Sequence, residues 1–317
     1  MEATISQDIQ KAKDLLESGE LVAIPTETVY GLAANALHPE AVIKIFETKN
    51  RPHFDPLIVH VASVEQAKSL AIEFPAKAQL LAEKFWPGPL TLLLKKKSII
   101  PDLVTSGLDT VGIRMPEHPL TLELLRKLDF PLAAPSANPF GYISPTTAEH
   151  VKAQLGEKIQ LILDGGPCEV GVESTIIDCT QETPVVVRLG GLGVEKIESI
   201  IGKVNVNTTS SSKPSAPGLL ISHYAPRKPF LLGNIQELVS KNSNKKIALI
   251  TFEGEPKDTL HKVLSREGSL NEAARNLFKV MRELDQTDAD VIIAEPVPDH
   301  GLGRAINDRL RRAAANV

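Results

Sequence analysis

The chain has 317 residues, of which 42% are hydrophobic and 23% are charged, a balance typical of globular proteins that argues against disorder and fibrous repeats. A formal net charge of -4 at pH 7 gives no overall positive field, which disfavours wholesale nucleic-acid binding but leaves a local basic groove open. Only Cys168 and Cys179 are present, so the sequence favours free thiols in a reducing compartment over a disulfide or structural zinc site.

The first residues predict a helix and a cytoplasmic protein without a membrane anchor. Residues 6–18 are polar and have helical periodicity, where a signal peptide would have an apolar core. Ser6 can cap this helix and Gly19 can end it. No apolar stretch approaches the roughly 18 residues that a membrane span needs.

Polar residues follow the first predicted strand, at residues 21–24. Pro25 ends this strand, and residues 26–32 (TETVYGL) bring hydroxyl and carboxyl groups to the turn that leaves it. Ligands collect at such turns in open α/β sheets. A helix is predicted from residue 39 to about 49, because the Arg51-Pro52 step disfavours helical backbone.

Further strands, several of them apolar throughout, are predicted at residues 57–61, 90–94, 111–114, 132–134, 159–163, 175–179 and 185–189. Continuous apolar runs are typical of strands covered by helices on both faces. The sequence therefore predicts an N-terminal α/β domain with a twisted, mixed open sheet flanked by helices.

A linker and a second domain are predicted after this sheet. Residues 205–217 are rich in Ser, Thr, Asn and Pro and lack apolar periodicity. Alternating strand and helix patterns then follow at residues 230–232, 235–240, 247–251, 270–284, 291–294 and 302–315. We expect a smaller C-terminal α/β domain of Rossmann-like type.

Common nucleotide and hydrolase motifs are missing from the sequence, which has no GxxxxGK[ST], GxSxG or HExxH pattern. The glycines at 191 and 193, and those at 301 and 303, are interpreted as turn glycines or helix starts. The second pair still permits an anion at a helix N-terminus, so a separate nucleotide- or partner-binding role of the C-terminal domain stays open.

Cationic side chains lie where predicted strands or helices end. Lys49 and Arg51 fit either a polyphosphate site or a solvated pair at a helix C-terminus. His60 fits a core histidine better than a ligand donor. Arg114 and Arg188 each close an apolar strand, where a buried cation is costly unless an anion pairs with it, so we expect a bound anion.

Two serines, Ser136 and Ser174, lie at strand ends beside small residues that let a ligand approach the backbone. Neither has a neighbouring base in the sequence, so hydrogen bonding to a ligand is favoured over nucleophilic catalysis. A site of Lys, Arg, Ser and Thr suits phosphoryl or nucleotidyl transfer, because positioning and charge stabilisation provide most of that catalysis.

Together these segments resemble the YrdC-type threonylcarbamoyl-AMP synthases in their long, two-domain form. The resemblance rests on PTETVYGL, KxRPxxxPLIVH, WPGPLT, TVGIRMPEH, APSAN with SPT, ESTIID, HYAP and the closing AEPVPDHGLGRAINDRLRRAA. It implies a YrdC-like fold and a cytoplasmic enzyme that converts L-threonine, bicarbonate and ATP into threonylcarbamoyl-adenylate and pyrophosphate. The product would serve the machinery that modifies the tRNA adenosine beside the anticodon.

The resemblance also implies roles for individual residues. The threonine site would comprise Thr28, His60, Arg114, Ala134 and Ser174. The ATP site would comprise Arg51, Asp55, Thr110, Ser136, Ser144, Arg188 and Tyr224, with Lys49 and Arg51 as the catalytic cations near the phosphates. The acid at Asp55 would repel the triphosphate unless it contacts the adenine amine or a metal, and the sequence leaves open whether it contacts either. Mg²⁺ is expected with ATP, and no metal-binding residues of the protein are predicted.

The expected division is a catalytic domain at residues 1–203, a linker at 204–228 and a small domain at 229–317. We expect the linker segment 205–229 to act as a lid that keeps water from the acyl-adenylate. The alternative function is an RNA-binding module without ATP turnover, against which the acidic balance and the 4% aromatic content speak. Weak RNA contact is compatible with either function.

Overall fold

The computed structural model describes residues 2–208, 216–220 and 222–315, in which the strands form two sheets. The larger sheet has eleven strands, in the spatial order 1-8-2-3-7-4-6-5-9-10-11. They are β1 (Thr4–Ser6), β2 (Val22–Ile24), β3 (Gly31–Asn35), β4 (Ile58–His60), β5 (Leu90–Lys95), β6 (Thr110–Arg114), β7 (Leu132–Ala133), β8 (Leu161–Leu163), β9 (Thr175–Asp178), β10 (Val185–Arg188) and β11 (Asn205–Val206).

Helices connect these strands and flank the sheet. They are α1 (Ile9–Glu17), α2 (Pro39–Lys49), α3 (Val64–Leu70), α4 (Ala76–Phe85), α5 (Asp102–Thr105), α6 (Pro119–Lys127), α7 (Ala148–Leu155) and α8 (Val194–Ile201). Because β2 is antiparallel to β3 whereas β4 is parallel to β6, the sheet is mixed, as predicted. In the described ranges, no helix is both long enough and apolar enough for a membrane crossing.

Both faces of the large sheet are buried. On β2, Val22 and Ile24 pack with Leu161 on one face, whereas Ala23 packs with Ile162 on the other. This alternation follows from the two-residue period of a strand. It explains why the strands are apolar throughout, as the sequence predicted for a sheet covered by helices.

The smaller sheet has four parallel strands: β12 (Phe230–Leu232), β13 (Ile247–Thr251), β14 (His261–Val263) and β15 (Val291–Ala294). Their spatial order is 12-15-13-14, and the connecting helices are α9 (Ile235–Lys241), α10 (Leu270–Asp285) and α11 (Leu302–Ala314). This arrangement confirms the predicted second, smaller α/β unit.

The local predictions differ from the structure near the N-terminus. Ser6 lies in β1 and does not cap α1; its hydroxyl accepts a hydrogen bond from the Asp8 backbone N–H at 3.1 Å. Asp8 is the N-cap instead, because its carboxylate accepts from the Lys11 N–H at 2.9 Å. Ser6 was a plausible cap by residue type, but pairing of β1 with β8 takes its backbone into the sheet.

The predicted linker contains one strand of the large sheet. β11 pairs in parallel with β10, so residues 205 and 206 extend the sheet edge. Ala216 and Leu219 pack on Ile58 and Ile176, against a face of the same sheet. The rest of the predicted segment, residues 209–215 and 221, lies outside the described residues.

Candidate active site

A cavity lies where several strands of the large sheet end. β4 and β6 run parallel in a register that pairs His60 with Arg114, so both side chains emerge at the same edge. β7 lies on the other side of β4, and the Ala134 N–H donates to the Ile58 carbonyl at 3.0 Å. Pairing of β4 with β6 in parallel and with β7 in antiparallel orientation thus brings three predicted site residues together from distant parts of the sequence.

The cavity collects most of the residues that the sequence singled out. It is lined by Thr26, Thr28, Val29, Gly31, Arg51, Ile58, His60, Arg114, Ala134, Pro135, Ser136, Glu173, Ser174, Arg188, Pro217, Gly218, His223 and Tyr224. A smaller neighbouring cavity, lined by Thr110 and Thr91 among others, shares Ile58 and Pro217 with it. Lys49, Asp55 and Ser144 are buried just behind the walls of the main cavity.

The turn after β2 is built by a threonine. The Thr26 hydroxyl oxygen accepts from the N–H groups of Thr28 and Val29 at 3.1 and 3.2 Å. Its oxygen also lies 2.8 Å from that of Thr28, and both side chains are buried. This turn fixes the Thr28 hydroxyl toward the cavity.

Arg114 has an anionic partner within the protein. Its Nη2 lies 2.6 Å from Glu27 Oε1, and the Glu117 N–H donates to Glu27 Oε2 at 3.0 Å. The sequence analysis expected a bound anion at Arg114 and gave no role to Glu27. Burial of both side chains explains the pair, because an isolated buried arginine would be costly. Its Nη1 forms no hydrogen bond with another described residue and is therefore available to a ligand carboxylate.

Lys49 and Arg51 are buried, so the interpretation of this pair as solvated cations at a helix C-terminus is wrong. Lys49 Nζ donates to the carbonyls of Ser136, at 2.6 Å, and of Asn138. Arg51 donates from Nε to the Asp55 carbonyl at 3.0 Å and lies 2.9 Å from Asp55 Oδ2. Burial lowers the pKa of both cations and raises that of Asp55.

Arg188 is a buried cation held by neutral oxygens. It donates to the Ser174 carbonyl at 2.9 and 3.0 Å, to the Ser174 hydroxyl at 3.0 Å and to the Pro217 carbonyl at 3.1 Å. Among the residues that the structure describes, no carboxylate forms a salt bridge with it. Burial lowers its pKa to about 10, so it remains charged at neutral pH and offers its charge to an anionic ligand.

Two hydroxyl groups are fixed around Arg188. Ser174 Oγ lies 2.8 Å from Thr91 Oγ1, which comes from β5. Ser144 donates to Glu173 Oε1 at 2.6 Å, and the other oxygen of this carboxylate accepts from Arg309 on α11 at 2.8 Å. The sequence analysis assigned no role to Thr91, Glu173 or Arg309. The signal it could have used was the need of buried arginines for anions.

The described part of the linker closes the cavity. Pro217, Gly218, His223 and Tyr224 form one wall, and about 50 Å³ of internal space remains. Ligand pockets for molecules of nucleotide size usually offer about 300–1,000 Å³. Tyr224 has a φ of 64°, which is unusual for a bulky residue, and a Cβ at Gly218 would collide with its hydroxyl.

Histidines in and beside the cavity are neutral at physiological pH. Burial and the nearby Arg114 lower the pKa of His60 to about 3. Burial, with Arg51 and Lys49 nearby, also lowers the pKa of His223 well below its ordinary value. His60 therefore offers a neutral imidazole, and its Nδ1 has no hydrogen-bond partner in the described chain. Its placement on the cavity favours the ligand-donor interpretation over a purely structural one.

The described residues contain no group of three or more His, Cys, Asp or Glu side chains arranged for a metal ion. Both oxygens of Asp55 are buried without a hydrogen bond of good geometry, but Arg51 lies beside them. Mg²⁺ is commonly held by substrate phosphates, waters and one or two carboxylates. A single carboxylate such as that of Asp55 fits a metal ion that takes most of its ligands from a bound nucleotide.

Fold and cavity together define an α/β protein with an arginine-rich ligand site at the strand ends of its large sheet. The family model described as "Telomere recombination" matches residues 14–190, and that described as "Threonylcarbamoyl-AMP synthase, C-terminal domain" matches residues 192–315. The threonylcarbamoyl-AMP synthase of Pyrococcus abyssi is 45% identical, over 96% of this chain and 94% of that protein. The one of Bacillus subtilis is 43% identical, over 98% and 94%. The chain belongs to the threonylcarbamoyl-AMP synthase family.

Solved structures agree with this assignment. Sua5 of P. abyssi, in a crystal structure described as a complex with L-threonine, has a TM-score of 0.91 and 44% identity, covering 96% of this chain and 94% of that one. Escherichia coli YciO has a TM-score of 0.53 and 25% identity, covering 60% of this chain and 92% of that one. The full-length match confirms the predicted two-part α/β fold, and the partial match corresponds to its YrdC-like part.

Proposed function

We propose that this chain synthesises threonylcarbamoyl-adenylate from L-threonine, bicarbonate and ATP, and releases pyrophosphate. The observation that carries the proposal is the convergence of Arg51, Arg114 and Arg188 on one cavity together with the hydroxyl groups of Thr28 and Ser174. The similarity to a threonine-complexed structure supports threonine as the amino-acid substrate.

The threonine half of the site would lie around Arg114. Its guanidinium can pair with the substrate carboxylate, and the Glu27 contact holds it in orientation. Thr28, Ser174 and the neutral His60 can hydrogen-bond the substrate hydroxyl or amine. The backbone at Ala134 forms the adjacent wall. A neutral histidine is suitable here because it does not repel the ammonium group of threonine as a second cation would.

The ATP half would lie around Arg51 and Arg188, with Ser136 beside them. Thr110 in the neighbouring cavity and Ser144 behind Glu173 would contact the nucleotide from either side. Lys49 would act through the Ser136 loop, whose carbonyl it binds, and through its positive charge. Asp55 fits a role in orienting Arg51, whose side chain it faces at 2.9 Å.

The chemistry takes place in two balanced steps. The threonine ammonium group first loses a proton to water; the neutral amine then adds to bicarbonate with loss of water, which forms a carbamate with one negative charge. A carbamate oxygen then attacks the α-phosphorus of ATP, and the bond from that phosphorus to the bridging oxygen of the β-phosphate breaks. Pyrophosphate leaves with that electron pair. Arg51 and Arg188 would stabilise the charge that develops on the phosphoryl oxygens.

Mg²⁺ would enter with ATP and neutralise part of the triphosphate charge. The lack of a cluster of three metal-binding side chains in the described residues supports a metal held mainly by phosphates. Omitting Mg²⁺, with EDTA present, should abolish pyrophosphate release while L-threonine still binds in calorimetry. Full turnover in EDTA would contradict this role of the metal.

We further propose a catalytic domain at residues 1–203, a lid-forming linker at 204–228 and a small domain at 229–317. The narrow cavity behind Tyr224 supports a lid, because a nucleotide needs more space than the described conformation leaves. Tyr224→Ala should bind ATP with altered affinity and release adenylate that hydrolyses faster. Unchanged ATP binding together with unchanged release of intact adenylate would contradict the lid.

The product would pass to machinery that transfers the threonylcarbamoyl group to the tRNA adenosine beside the anticodon, with weak RNA contact at most. The free, buried thiols of Cys168 and Cys179 support a reducing compartment such as the cytoplasm. An RNA-binding module without turnover is not favoured, because the ligand site is a small cavity rather than an extended surface, and the similar full-length proteins are named synthases.

The test is an assay of pyrophosphate release in which threonine, bicarbonate and ATP are each withheld in turn. We expect release only when all three are present. Release without threonine would overturn the substrate assignment, and tight, salt-sensitive tRNA binding without pyrophosphate release would favour the RNA-binding alternative.

A further inference from the structure

A single arginine of the small domain reaches into the candidate active site. Arg309 on α11 is 0% exposed, and its Nε donates to Glu173 Oε2 at 2.8 Å. Its Nη2 donates to the Leu189 carbonyl at 3.0 Å, and its guanidinium lies 4.8 Å from the ring centre of Tyr224. One side chain therefore connects the small domain with the β9 and β10 region and with the linker.

The carboxylate that Arg309 binds belongs to the cavity wall. Glu173 lines the cavity and precedes Ser174, and its second oxygen accepts from Ser144 at 2.6 Å. Burial alone would raise the pKa of Glu173, but Arg309 and Arg188 hold it below its ordinary value. Glu173 is therefore an anion beside the place where a triphosphate would bind.

An unpaired anion at this position would oppose ATP binding. It would repel the phosphates and compete with them for Arg188, which has only neutral oxygens as partners among the described residues. Without its partner, the Glu173 carboxylate would also lose the orientation in which it accepts the hydrogen bond from Ser144. Arg309 prevents both effects, because its charge compensates that of Glu173 and its three nitrogens are each fixed by a hydrogen bond.

A second arginine supports the same loop from the small domain. Arg282 on α10 donates from Nη2 to the carbonyls of Ile143 and Ser144, at 2.9 and 3.4 Å. Ser144 is thus held by Arg282 through its backbone and by Glu173 through its hydroxyl. The small domain controls both contacts, one directly and one through Arg309.

We propose that Arg309 is a positioning residue for ATP: it neutralises and orients Glu173 and thereby leaves Arg188 and Ser144 for the nucleotide. This inference rests on the proposed function, since it assigns a task to the small domain in the same reaction. It predicts that loss of Arg309 impairs the ATP half of the site and spares the threonine half.

The experiment compares Arg309→Met, Glu173→Gln and the double variant in the full-length chain. Arg309→Met should raise KM for ATP about tenfold or more and change KM for threonine less than about twofold. In the Glu173→Gln background, the same change should alter KM for ATP less than about threefold, because the anion that needed compensation is gone.

The matched control is Arg311→Met, on the same helix, whose side chain is 59% exposed; its kinetics should equal those of wild type. An equal effect of Arg309→Met with and without Glu173→Gln would overturn the proposal, since a merely structural anchor does not depend on that carboxylate. A parallel rise in KM for threonine would overturn it as well.

A conservative variant and a binding measurement complete the design. Arg309→Lys keeps the charge, so it should retain KM for ATP within about threefold of wild type even where Arg309→Met fails to fold. A loss as large as that of Arg309→Met would contradict charge compensation. Calorimetric titration with ATP alone tests the same ranking without turnover. If the wild-type protein makes no adenylate, the proposed function is wrong. If the wild type is active but the variants do not follow this ranking, only the role of Arg309 is wrong.

Discussion

The regions around the two sheets differ in how completely their buried polar groups are hydrogen-bonded. Around the large sheet, Asp55 and the Nδ1 atoms of His60 and His223 are buried without hydrogen-bond partners within the described ranges. Among the described residues 229–315, the only buried side-chain atom without such a partner is Arg282 Nε, at the contact with the large domain. Unsatisfied buried groups are costly, so they persist mainly where a ligand or mechanism requires them.

This difference indicates which domain provides the ligand-binding groups and which domain supports them. The large domain provides the cations and hydroxyl groups of the cavity, with incomplete internal pairing. The small domain has a parallel sheet with well-paired polar groups and extends Arg282 and Arg309 toward the cavity wall. Changes in the first region should therefore act mainly on the reaction, and changes inside the second mainly on stability.

The largest expected effect is at Arg114. Arg114→Met removes the predicted partner of the threonine carboxylate and leaves Glu27 buried without its cation, so kcat/KM for threonine should fall about 10³-fold. Steady-state kinetics of pyrophosphate release, with threonine varied, measure this. Arg126→Met, at an exposed position of α6, is the control. A loss below about threefold would place the threonine carboxylate elsewhere.

A buried polar group inside the small domain that affected catalysis would contradict this division between the two domains. Asn307 closes a ring of hydrogen bonds with the backbone N–H and carbonyl of Val297, both at 2.9 Å. Asn307→Ala should lower the free energy of unfolding by about 2 kcal/mol, because two buried backbone groups lose their partner. Urea denaturation measures it, with exposed Asn271→Ala as control. At temperatures where the variant is folded, KM for both substrates should be unchanged.

A smaller effect is expected at Ser174. Its hydroxyl contacts Thr91 and Arg188, and Ser174→Ala removes one hydrogen bond to each and one to the predicted threonine. KM for threonine should rise about tenfold, the usual value for one lost hydrogen bond near a charged group. Exposed Ser199→Ala should behave as wild type. An effect confined to KM for ATP would move Ser174 to the nucleotide half.

The smallest effect concerns pH. The pKa of His60 is lowered from 6.5 to about 3 in the folded protein, so the unfolded chain binds a proton first as pH falls. His60 therefore stabilises the fold fully above its unfolded pKa, and this contribution is lost as pH falls from 6.5 toward 3. Between pH 7.5 and 5.5, wild type should lose about 1 kcal/mol more unfolding free energy than His60→Gln. Equal losses in urea denaturation would contradict a neutral His60.

The sequence predicted those helices and strands whose signals lie within or next to their own residues. The helix Pro39–Lys49 is confirmed at both ends, because proline favours its first turn and the Arg51-Pro52 step disfavours its continuation. The strand β3 was missed, since GLAAN has little β-propensity and becomes a strand only between β2 and β7. Ser6 was assigned to a helix cap because pairing with β8, more than 150 residues away, is invisible locally.

The candidate site follows the same rule. Arg114 and Arg188 could be selected from their positions at the ends of apolar strands, and Arg51 from its position after a helix; all three line the cavity. The supporting contacts could not be selected, because the fold brings Glu27 from a turn to Arg114, and Arg309 from the last helix to Glu173. Residue types reveal which charges need compensation, whereas the topology determines which residue provides it.

The most direct test of the account is mass spectrometry of the product formed from ATP, L-threonine and carbon-13-labelled bicarbonate by the full-length chain. We predict a threonylcarbamoyl-adenylate that carries the label, in amounts equal to the pyrophosphate released. Pyrophosphate release with an unlabelled adenylate, or with no threonine in the product, would contradict the assignment of the cavity to threonine and bicarbonate.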